Sequence, residues 1–495
     1  MKILTTLLAF GLTSLVGLAQ NETDVFRYSN SHFGGSARYN SLGGAMGAVG
    51  ADFSSLSVNP AGMGRYRASD FSFSAGLNLT NGSSNFKGNS FSEGNEKLGF
   101  NQIGIVFTEK ANADNPNKWA AVQFGFGYNR LNDFNRSYTI EGVNDRSFSE
   151  RLAFQGEDII EEELNTYSPF GAGVAYSAWL IDPLAGSGKT VYTTQMYVDS
   201  IFTNHKVREK GRQGEWVLGV SGNYNEKFYI GGSVGLTRIH FEQEKIHSET
   251  SLIDTTDIDA YTYTERLTTK GKGINAKIGA IYLPVKWLRV GLAYQTPTLH
   301  YNMRDTWSTE INTLFREVSG DRQIQNQASS PDGNFTYRMV TPAKITASAA
   351  IVIKAKGMIS VDYELVDYSG GKLKTHPETN DTYNFETENE TVVANHKQVG
   401  NIRVGAEYRL TNLFMLRGGF GYYQNGYNDS VVSQNIPKIA YSFGAGYRSK
   451  AFYVDLGLNM FKTSEDYYMY DPLLVANTKL DFSRTSISAT VGFKF

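Results

Sequence analysis

The sequence contains no cysteine, so no disulfide stabilises the folded chain and no thiolate is available to bind a metal. A lipid-anchored export product needs a cysteine at its cleavage point, which excludes a lipoprotein. The 7 histidines are scattered, and none stands at His-x-His or His-x₃-His spacing. We therefore expect no metal site and no cofactor. No set of catalytic residues stands out either, and we do not expect an enzyme.

An excess of charge of one sign is also missing. The 47 basic and 49 acidic residues give a net charge of −2, which offers no electrostatic surface for nucleic acid. Beyond the first twenty residues, no apolar run approaches the roughly 18 residues of a membrane-spanning helix. Proline is scarce (11), whereas Gly (50), Tyr (30) and Phe (30) are abundant. This composition favours many strands with aromatic surfaces.

The first twenty residues, MKILTTLLAFGLTSLVGLAQ, combine one lysine, an apolar centre and small residues at Gly17 and Ala19. This layout is typical of a secretory signal peptide. We predict a signal peptide over residues 1–19 with cleavage after Ala19, and therefore an exported chain.

Past Ser69, apolar and polar residues alternate with a period of two. In SDFSFSAGLNLT, for example, Phe71, Phe73 and Leu77 lie on one face and Ser72 on the other. Such alternation indicates strands with one apolar and one polar face. Fourteen strands are predicted, near 69–80, 99–109, 117–130, 214–225, 227–241, 272–283, 286–297, 342–353, 357–368, 398–409, 413–424, 438–448, 451–462 and 483–495.

The connections between these strands alternate between long and short. The predicted long connections are 81–98, 131–213, 242–271, 298–341, 369–397, 425–437 and 463–482, and the others have a few residues each. Outer-membrane barrels have this asymmetry, with short periplasmic turns and long extracellular loops. Lipid also demands that every backbone polar group be paired, which a sheet achieves only by closing. The sequence therefore predicts a 14-stranded antiparallel β-barrel in the bacterial outer membrane.

In such a barrel the apolar faces point to lipid and the polar faces fill the lumen. The charged residues predicted to point inward are Lys277, Arg289, Lys344, Asp362, Glu364, Arg403, Glu407, Arg417 and Asp455. One interpretation is a mutually paired network that braces the interior, because charges in a narrow lumen need partners. The other is that some basic residues meet an acidic ligand headgroup, with Arg403, Arg417 and Lys344 as candidates.

The stretch LGGAMGAVGADFSSLSVNPAGMG, residues 42–64, differs from the rest of the chain in its density of small residues. It precedes the first strand, and Pro60 fixes a corner after Asn59. A lumen of fourteen strands would be an open hole unless something blocked it. We predict that residues 20–66 form a hatch inside the barrel, which comprises residues 67–495.

The residues ARYNSLGGAMGAVGADFSSLSVNPAGMG resemble the N-terminal hatch of the FadL/TodX family of outer-membrane transporters for hydrophobic compounds. The matching positions are Ala37, Arg38, Leu42, Gly43, Gly44 and Ala45 in the opening, and Asn59, Pro60, Ala61 and Gly62 in the N-P-A-G signature. Later segments, such as VGLAYQTPT (290–298) and LRGGFGYY (416–423), are similar to family strands in the same order.

The resemblance implies transport of long-chain fatty acids or other hydrophobic small molecules. The ligand would be captured outside, held above the hatch and released sideways into the membrane where an early strand kinks. Gly125 and Gly127 are the candidate kink positions, since glycine inside a strand often marks a bend. The expected surroundings are outer-membrane lipid and lipopolysaccharide, with a single barrel as the transporting unit. Some FadL-like barrels instead act as a component or shuttle of a protein secretion system, and that alternative stays open.

The segment SPFGAGVAYSAWLIDPLAG, residues 168–186, is more apolar than an exposed loop requires. It is either a capture surface for ligand or a segment that packs against neighbouring loops.

Overall fold

The structure is a computed structural model. It describes residues 22–30, 34–111, 118–194, 196, 200–253, 257–316, 324–354, 356–378, 383–431 and 436–495. The predicted signal peptide lies outside the described residues, as do residues 20, 21 and 31–33 of the predicted hatch.

The described residues form short helices and long strands. The α-helices are α1 (Glu22–Ser29), α2 (Ala37–Ser41), α3 (Phe148–Phe154), α4 (Leu164–Tyr167), α5 (Ala172–Ser177) and α6 (Glu386–Asn395). The 3-10 helices are Phe53–Ser57, Pro60–Arg65, Glu161–Glu163 and Tyr368–Gly370. Among the described residues, no helix has the length and apolar composition needed to cross a membrane.

The first eleven strands are β1 (Asp70–Phe86), β2 (Asn89–Lys110), β3 (Trp119–Asp133), β4 (Arg136–Asn144), β5 (Ile181–Pro183), β6 (Tyr192–Thr194), β7 (Ile201–Tyr224), β8 (Phe228–Ser251), β9 (Ile258–Val285), β10 (Leu288–Gln295) and β11 (Leu299–Phe315). The others are β12 (Gln325–Ser329), β13 (Gly333–Val340), β14 (Lys344–Ile353), β15 (Gly357–Asp367), β16 (Lys372–Thr375), β17 (Gln398–Arg409), β18 (Phe414–Tyr423), β19 (Lys438–Arg448), β20 (Phe452–Tyr467) and β21 (Thr478–Lys494).

Fourteen of these strands form one closed wall. They are β1–β3, β7–β10, β14, β15 and β17–β21, and each pairs antiparallel with the next. The last strand, β21, pairs with β1 and closes the sheet. Closure removes the open edges that a lipid environment does not tolerate. The prediction of a fourteen-stranded antiparallel barrel is confirmed.

The two faces of the wall differ as the alternation predicts. On β7, Trp216, Leu218 and Val220 are exposed on the outer face, whereas Val217 and Gly219 between them are buried. The inward set includes buried polar residues throughout the wall. The apolar side chains therefore face lipid, and the polar side chains fill the lumen.

Several strands, among them β1, β2, β7, β8, β9, β20 and β21, are longer than predicted at their extracellular ends. Most of the predicted connection 81–98 is strand, because β1 ends at Phe86 and β2 begins at Asn89. The predicted connections 242–271 and 463–482 shrink for the same reason. Outside the membrane both faces of a strand meet polar surroundings, so the apolar alternation ends although the backbone pairing continues.

A small extracellular core covers one side of the barrel mouth. It includes Leu152, Val174, Leu180, Ile181 and Tyr261, all of them buried. The apolar residues of segment 168–186 that pack in this core are Ala172, Val174, Ala175, Ala178, Leu180 and Ile181. The packing interpretation therefore accounts for the buried part of that segment, although Trp179 and Leu184 stay exposed.

Candidate functional site

The hatch segment, residues 34–66, lies inside the barrel. Helix α2 packs against β18–β21, and the 3-10 helix Pro60–Arg65 packs against β7–β9. Leu42, Met46, Phe53, Leu56 and Met63 are almost completely buried between the segment and the wall. The segment therefore crosses the lumen from one side to the other.

Two glycines let the backbone of the hatch segment turn after α2. Gly43 and Gly44 have φ angles of +61° and +80°, which L side chains rarely adopt. A Cβ on Gly43 would also lie 3.0 Å from the backbone nitrogen of Phe420. Glycine is therefore required here both by conformation and by the close approach of β18.

Asn59 holds the corner of the N-P-A-G signature. Its side-chain oxygen accepts a hydrogen bond from the backbone N–H of Ala61 (3.1 Å), which caps the following 3-10 helix. Its side-chain amide donates to the carbonyl oxygens of Gly47 (2.7 Å) and Ala280 (3.3 Å). One side chain thus joins two parts of the hatch segment to β9.

The rest of the signature completes this corner. Pro60 begins the 3-10 helix, where a missing N–H costs nothing. At Gly62, a Cβ would lie 3.1 Å from the Cα of Gly50 and 2.9 Å from the Oγ of Ser55. Only glycine allows these two stretches of the hatch segment to touch.

Buried ion pairs tie the hatch segment to the wall. The Arg38 guanidinium donates to the Glu407 carboxylate at 3.0 Å. Arg417 also donates to Glu407 (2.7 Å) and to Asp455 (2.6 Å). Each charge is therefore neutralised by direct contacts, which buried charges require.

A second set of contacts surrounds Asp362 on β15. Its carboxylate accepts hydrogen bonds from the backbone N–H groups of Met46 (3.1 Å) and Gly47 (3.0 Å). Arg403 lies 3.7 Å from Asp362 and donates to Glu364 at 3.2 Å. These contacts support the bracing interpretation of the inward charges.

We expect Gly47→Ala to loosen the hatch segment. A Cβ at this position would lie 2.1 Å from the Oγ of Ser348 and 3.0 Å from its Cβ. Overpacking of this kind costs about 1–3 kcal/mol, so the segment should become more sensitive to proteolysis in the folded barrel. The double variant Gly47→Ala/Ser348→Gly removes the clash and should restore resistance. Equal proteolysis of the intact chain and Gly47→Ala would contradict this packing.

A cavity of about 160 Å³ lies directly above the hatch segment. Its lining is mainly polar and includes Asn40, Asn78, Asn101, Arg130, Glu215, Lys277, Gln295, Lys344, Glu364, Asn401, Arg403, Lys438 and Arg484. A dry cavity of about 150 Å³ holds one benzene ring. This cavity is thus large enough for a headgroup or a single ring, but not for a long chain.

A larger chamber of about 840 Å³ lies on the extracellular side. Aromatic rings line part of it, including Phe26, Phe134, Tyr138, Phe148, Tyr263, Phe461, Tyr467, Tyr468, Tyr470 and Phe482. Charged side chains line it as well, including Asp24, Arg27, Arg136, Arg151, Glu209, Lys245, Glu265 and Glu465. The chamber and the cavity share the lining residues Asn30, Asp133, Tyr368, Asn401, Tyr423, Lys438, Phe461 and Arg484. These shared residues form a neck between the two spaces.

Helix α1 lies beside this neck. Tyr28, Ser29 and Asn30 line the lower cavity, whereas Phe26 and Arg27 line the upper chamber. The helix is held at the wall by the ring contacts of Tyr28 with Phe134 and Phe241, with centroids 5.7 and 6.3 Å apart. From Thr23 to Asn30 the chain therefore runs from the chamber down to the lower cavity.

Two cations stand at the neck. The ammonium of Lys438 lies 4.5 Å from the Tyr423 ring centroid and 5.3 Å from that of Phe461. The Arg484 guanidinium donates to the backbone carbonyl of Asp133 at 3.2 Å. Both cations are thus held by rings and carbonyl groups, and their charge faces the neck.

The structure separates the three candidate headgroup residues. Lys344 and Arg403 line the lower cavity, and Arg403 is paired with Glu364. Arg417 is absent from the lining and is fully buried in its pairs with Glu407 and Asp455. Arg417 therefore braces the hatch segment. Sequence reasoning missed Lys438 and Arg484, although each has the same strand parity as inward-facing Ser442 and Ser488.

The wall splits between β2 and β3. The two strands pair from Gln102–Asn129 to Lys110–Ala121. On the extracellular side of Gln102, β2 pairs with β1, whereas β3 pairs with β7. The β3–β7 register shifts between Arg130 and Asn132, which makes Leu131 an extra residue beside the split.

The lower cavity reaches this split. Asn101 and Leu131 line the cavity. The guanidinium of Arg130, on β3, lies against Gly99 of β2 and so bridges the split; a Cβ on Gly99 would be 2.3 Å from its nitrogen. The same guanidinium donates to Asp133 at 3.0 Å. The register of β3 with β7 also shifts between Trp119 and Ala121, but the shift at Leu131 is the one that lies beside the split.

Gly125 and Gly127, the candidate kink positions, lie in a regular part of β3. They pair in register with Val106 and Gly104 of β2. A Cβ on Gly125 would lie 2.5 Å from the Sδ of Met63, and one on Gly127 would lie 2.6 Å from the Phe53 ring. The two glycines make room for the hatch segment, and the register shift occurs further along the strand.

Comparison with known protein families identifies the family of this chain. A family model described as "Outer membrane protein transport protein (OMPP1/FadL/TodX)" matches residues 190–492. This match covers more than half of the sequence. The chain belongs to this family. It is an outer-membrane barrel of a family that transports hydrophobic compounds and is not a family of enzymes.

Solved structures agree in fold. The toluene transporter TodX of P. putida has 13% sequence identity and a TM-score of 0.53, with 93% of this chain and 98% of that chain covered. A FadL homologue from Pseudomonas aeruginosa has 12% identity and a TM-score of 0.52, with 94% and 99% covered. A search of curated protein sequences found no match.

Proposed function

We propose that this barrel takes up hydrophobic molecules that carry an acidic headgroup, with long-chain fatty acids as the first candidates. The observation that carries the proposal is the neck, where Lys438 and Arg484 lie between the lower cavity and a chamber partly lined by aromatic rings. A chain would occupy the chamber, whose volume is in the usual range for ligand sites. A carboxylate would bind to the two cations at the neck. Hydrogen bonds between charged groups are stronger than those between neutral groups.

A plain aromatic hydrocarbon fits this arrangement less well. The structurally similar TodX is a toluene transporter, and the lower cavity has the volume for one ring. The lining of that cavity is mainly polar, so an apolar ring would displace water from groups that it cannot bond. A ligand with a hydrocarbon chain and an anionic end would occupy both the chamber and the lower cavity.

We further propose that residues 20–66 act as the hatch and that the split beside Leu131 is the lateral exit. The ligand would move from the chamber through the neck and leave between β2 and β3. The support is that Asn101 and Leu131 line the cavity at the place where β2–β3 pairing stops. An insoluble ligand gains from this route because it passes from the protein directly into lipid.

The headgroup claim is tested by binding to the purified barrel in detergent, with oleate and oleyl alcohol compared by isothermal titration. Oleate should bind about 10- to 100-fold more tightly, because a hydrogen bond to a charged group contributes about 1.5–3 kcal/mol. The variants Lys438→Gln and Arg484→Gln should reduce that difference. Lys450→Gln, an exposed residue in a periplasmic turn, should leave it unchanged. Equal affinity for the acid and the alcohol would contradict the proposal.

A further inference from the structure

The outer surface of the barrel carries a basic patch on β7, β8, β9 and β11. One cross-strand row consists of Arg212, His240, Lys270 and Arg304, which are direct neighbours in the register. The adjacent row contains Arg238 and Lys272, also directly paired. We call these six residues the basic patch. Its five Lys and Arg residues are exposed.

The basic patch begins where the apolar surface ends. The next row toward the periplasm consists of Trp216, Leu236, Ile274 and Leu299. These four side chains are all exposed, between 39% and 53%. A row of exposed apolar residues that includes a tryptophan is typical of the edge of the hydrocarbon layer. The cations therefore lie at the level of the outer-leaflet headgroups.

The barrel provides a carboxylate for only one member of the patch, because His240 lies 3.0 Å from Glu242 of the next row. Among the described residues, the Lys and Arg side chains of the patch form no ion pair with a carboxylate. Arg304 donates only to the amide oxygen of Asn334, at 3.2 Å. Like charges placed directly opposite each other on a sheet are destabilising. The arrangement is thus unfavourable unless an external anion lies over it.

The rows further from the membrane show a contrasting arrangement. Glu244 accepts from Arg208 and from Arg266, both at 3.4 Å. Arg266 also donates to Glu310 at 3.2 Å. In the row of Arg208, Glu244 and Arg266, cations and a carboxylate alternate. Away from the membrane, the same strands therefore neutralise their own charges. The missing acids are confined to the headgroup level.

We propose that the basic patch binds the phosphorylated headgroup of an outer-leaflet lipid, of the lipid A type. Such a headgroup carries two phosphates above acyl chains, and the chains would cover the apolar row below the patch. Two phosphates over two rows of cations would relieve the like-charge repulsion. Arginine and lysine are the side chains that recognise phosphate. The site lies on the lipid-facing side of the wall and is separate from the transport path.

The test is native mass spectrometry of the purified, delipidated barrel titrated with bisphosphorylated lipid A. The triple variant Arg238→Ala/Lys270→Ala/Lys272→Ala should bind this lipid at least about tenfold more weakly, because each basic residue near an anionic surface contributes to binding. The control triple variant Lys227→Ala/Lys286→Ala/Lys356→Ala removes three exposed lysines from periplasmic turns. It should bind as the intact chain does. Heat-dependent gel mobility shows whether each variant is folded.

Two further arms use the intact chain alone. Dephosphorylated lipid A should bind at least about tenfold more weakly than the bisphosphorylated form, and salt raised from about 0.05 to about 0.5 M should weaken only the latter. Equal binding of the two lipids would overturn the proposal, and so would unchanged binding by a folded Arg238→Ala/Lys270→Ala/Lys272→Ala variant. Capture of inorganic phosphate with no preference for the lipid would overturn it as well.

Discussion

Deletion of residues 34–66 is expected to turn the closed barrel into an open channel. A closed wall of fourteen strands has a lumen wider than its own side chains fill. The hatch segment crosses that lumen. The ion pair of Arg38 with Glu407 and the hydrogen bonds from the backbone of Met46 and Gly47 to Asp362 hold it to the wall. Without it, ions and small hydrophilic solutes should pass. In planar bilayers, single-channel conductance should rise by about tenfold or more over that of the intact barrel.

The matched control is deletion of residues 22–30, which removes α1 and leaves the hatch segment in place. Helix α1 lies above the hatch segment and lines both the cavity and the chamber. Its loss should widen the upper spaces while conductance stays low. If the variant without residues 34–66 folds and conducts no better than this control, the hatch segment is not what closes the lumen.

Deletion of Leu131 is expected to abolish uptake of a hydrophobic ligand while the barrel stays folded. Leu131 is the extra residue that shifts the β3–β7 register between Arg130 and Asn132. Bulges of this kind bend a strand and end its pairing. On β2 the register with β1 also shifts, at Asn101. Without the extra residue on β3, this strand should pair regularly with β7 and lie close enough to β2 to extend their ladder past Asn129. The split would close, and the ligand would have no path to the lipid.

Leu131→Ala is the control for this deletion. It keeps the extra residue and the register shift and removes most of the side chain. Uptake by this variant should stay close to that of the intact chain. If Leu131→Ala loses uptake as completely as the deletion, the side chain is what matters. If the deletion transports normally, the exit lies elsewhere in the wall.

The wall of the barrel could be predicted from the sequence because one physical constraint acts on every strand. Each strand has one face in lipid and one in a polar lumen, so Phe71, Phe73 and Leu77 alternate with polar or small residues. The constraint ends at the membrane surface. For this reason the extracellular parts of β7, β8 and β9 beyond the predicted strands, with outward residues such as Arg208 and Lys270, gave no strand signal.

The candidate site could be predicted only in part. The parity of Lys344 and Arg403 places them inside, and the same reasoning extends to Lys438 and Arg484 at the strand ends. Arg130 could not be predicted as an inward residue. Gln123 and Asn129 place the odd-numbered positions of β3 inside, but the register shift at Leu131 turns Arg130 inward as well. A bulge leaves no mark in the alternation until the partner strand is known.

The course of the chain through the lumen also exceeded what the sequence contains. The period-two pattern says nothing about α1, which reaches the neck through contacts of Phe26 and Tyr28 with distant rings. The division between apolar and polar faces also did not show which contacts each inward cation makes. Arg417 and Lys438 are alike in sequence terms, yet one lies between two carboxylates and the other at the neck.

Uptake of radiolabelled oleate tests the central claim most directly. Cells that lack their own fatty-acid transporter would express the intact chain, with heat-dependent gel mobility to confirm a folded barrel. The account predicts uptake above that of cells without the barrel, with competition by unlabelled oleate and much weaker competition by oleyl alcohol. A folded barrel in the outer membrane with oleate uptake at background would contradict it.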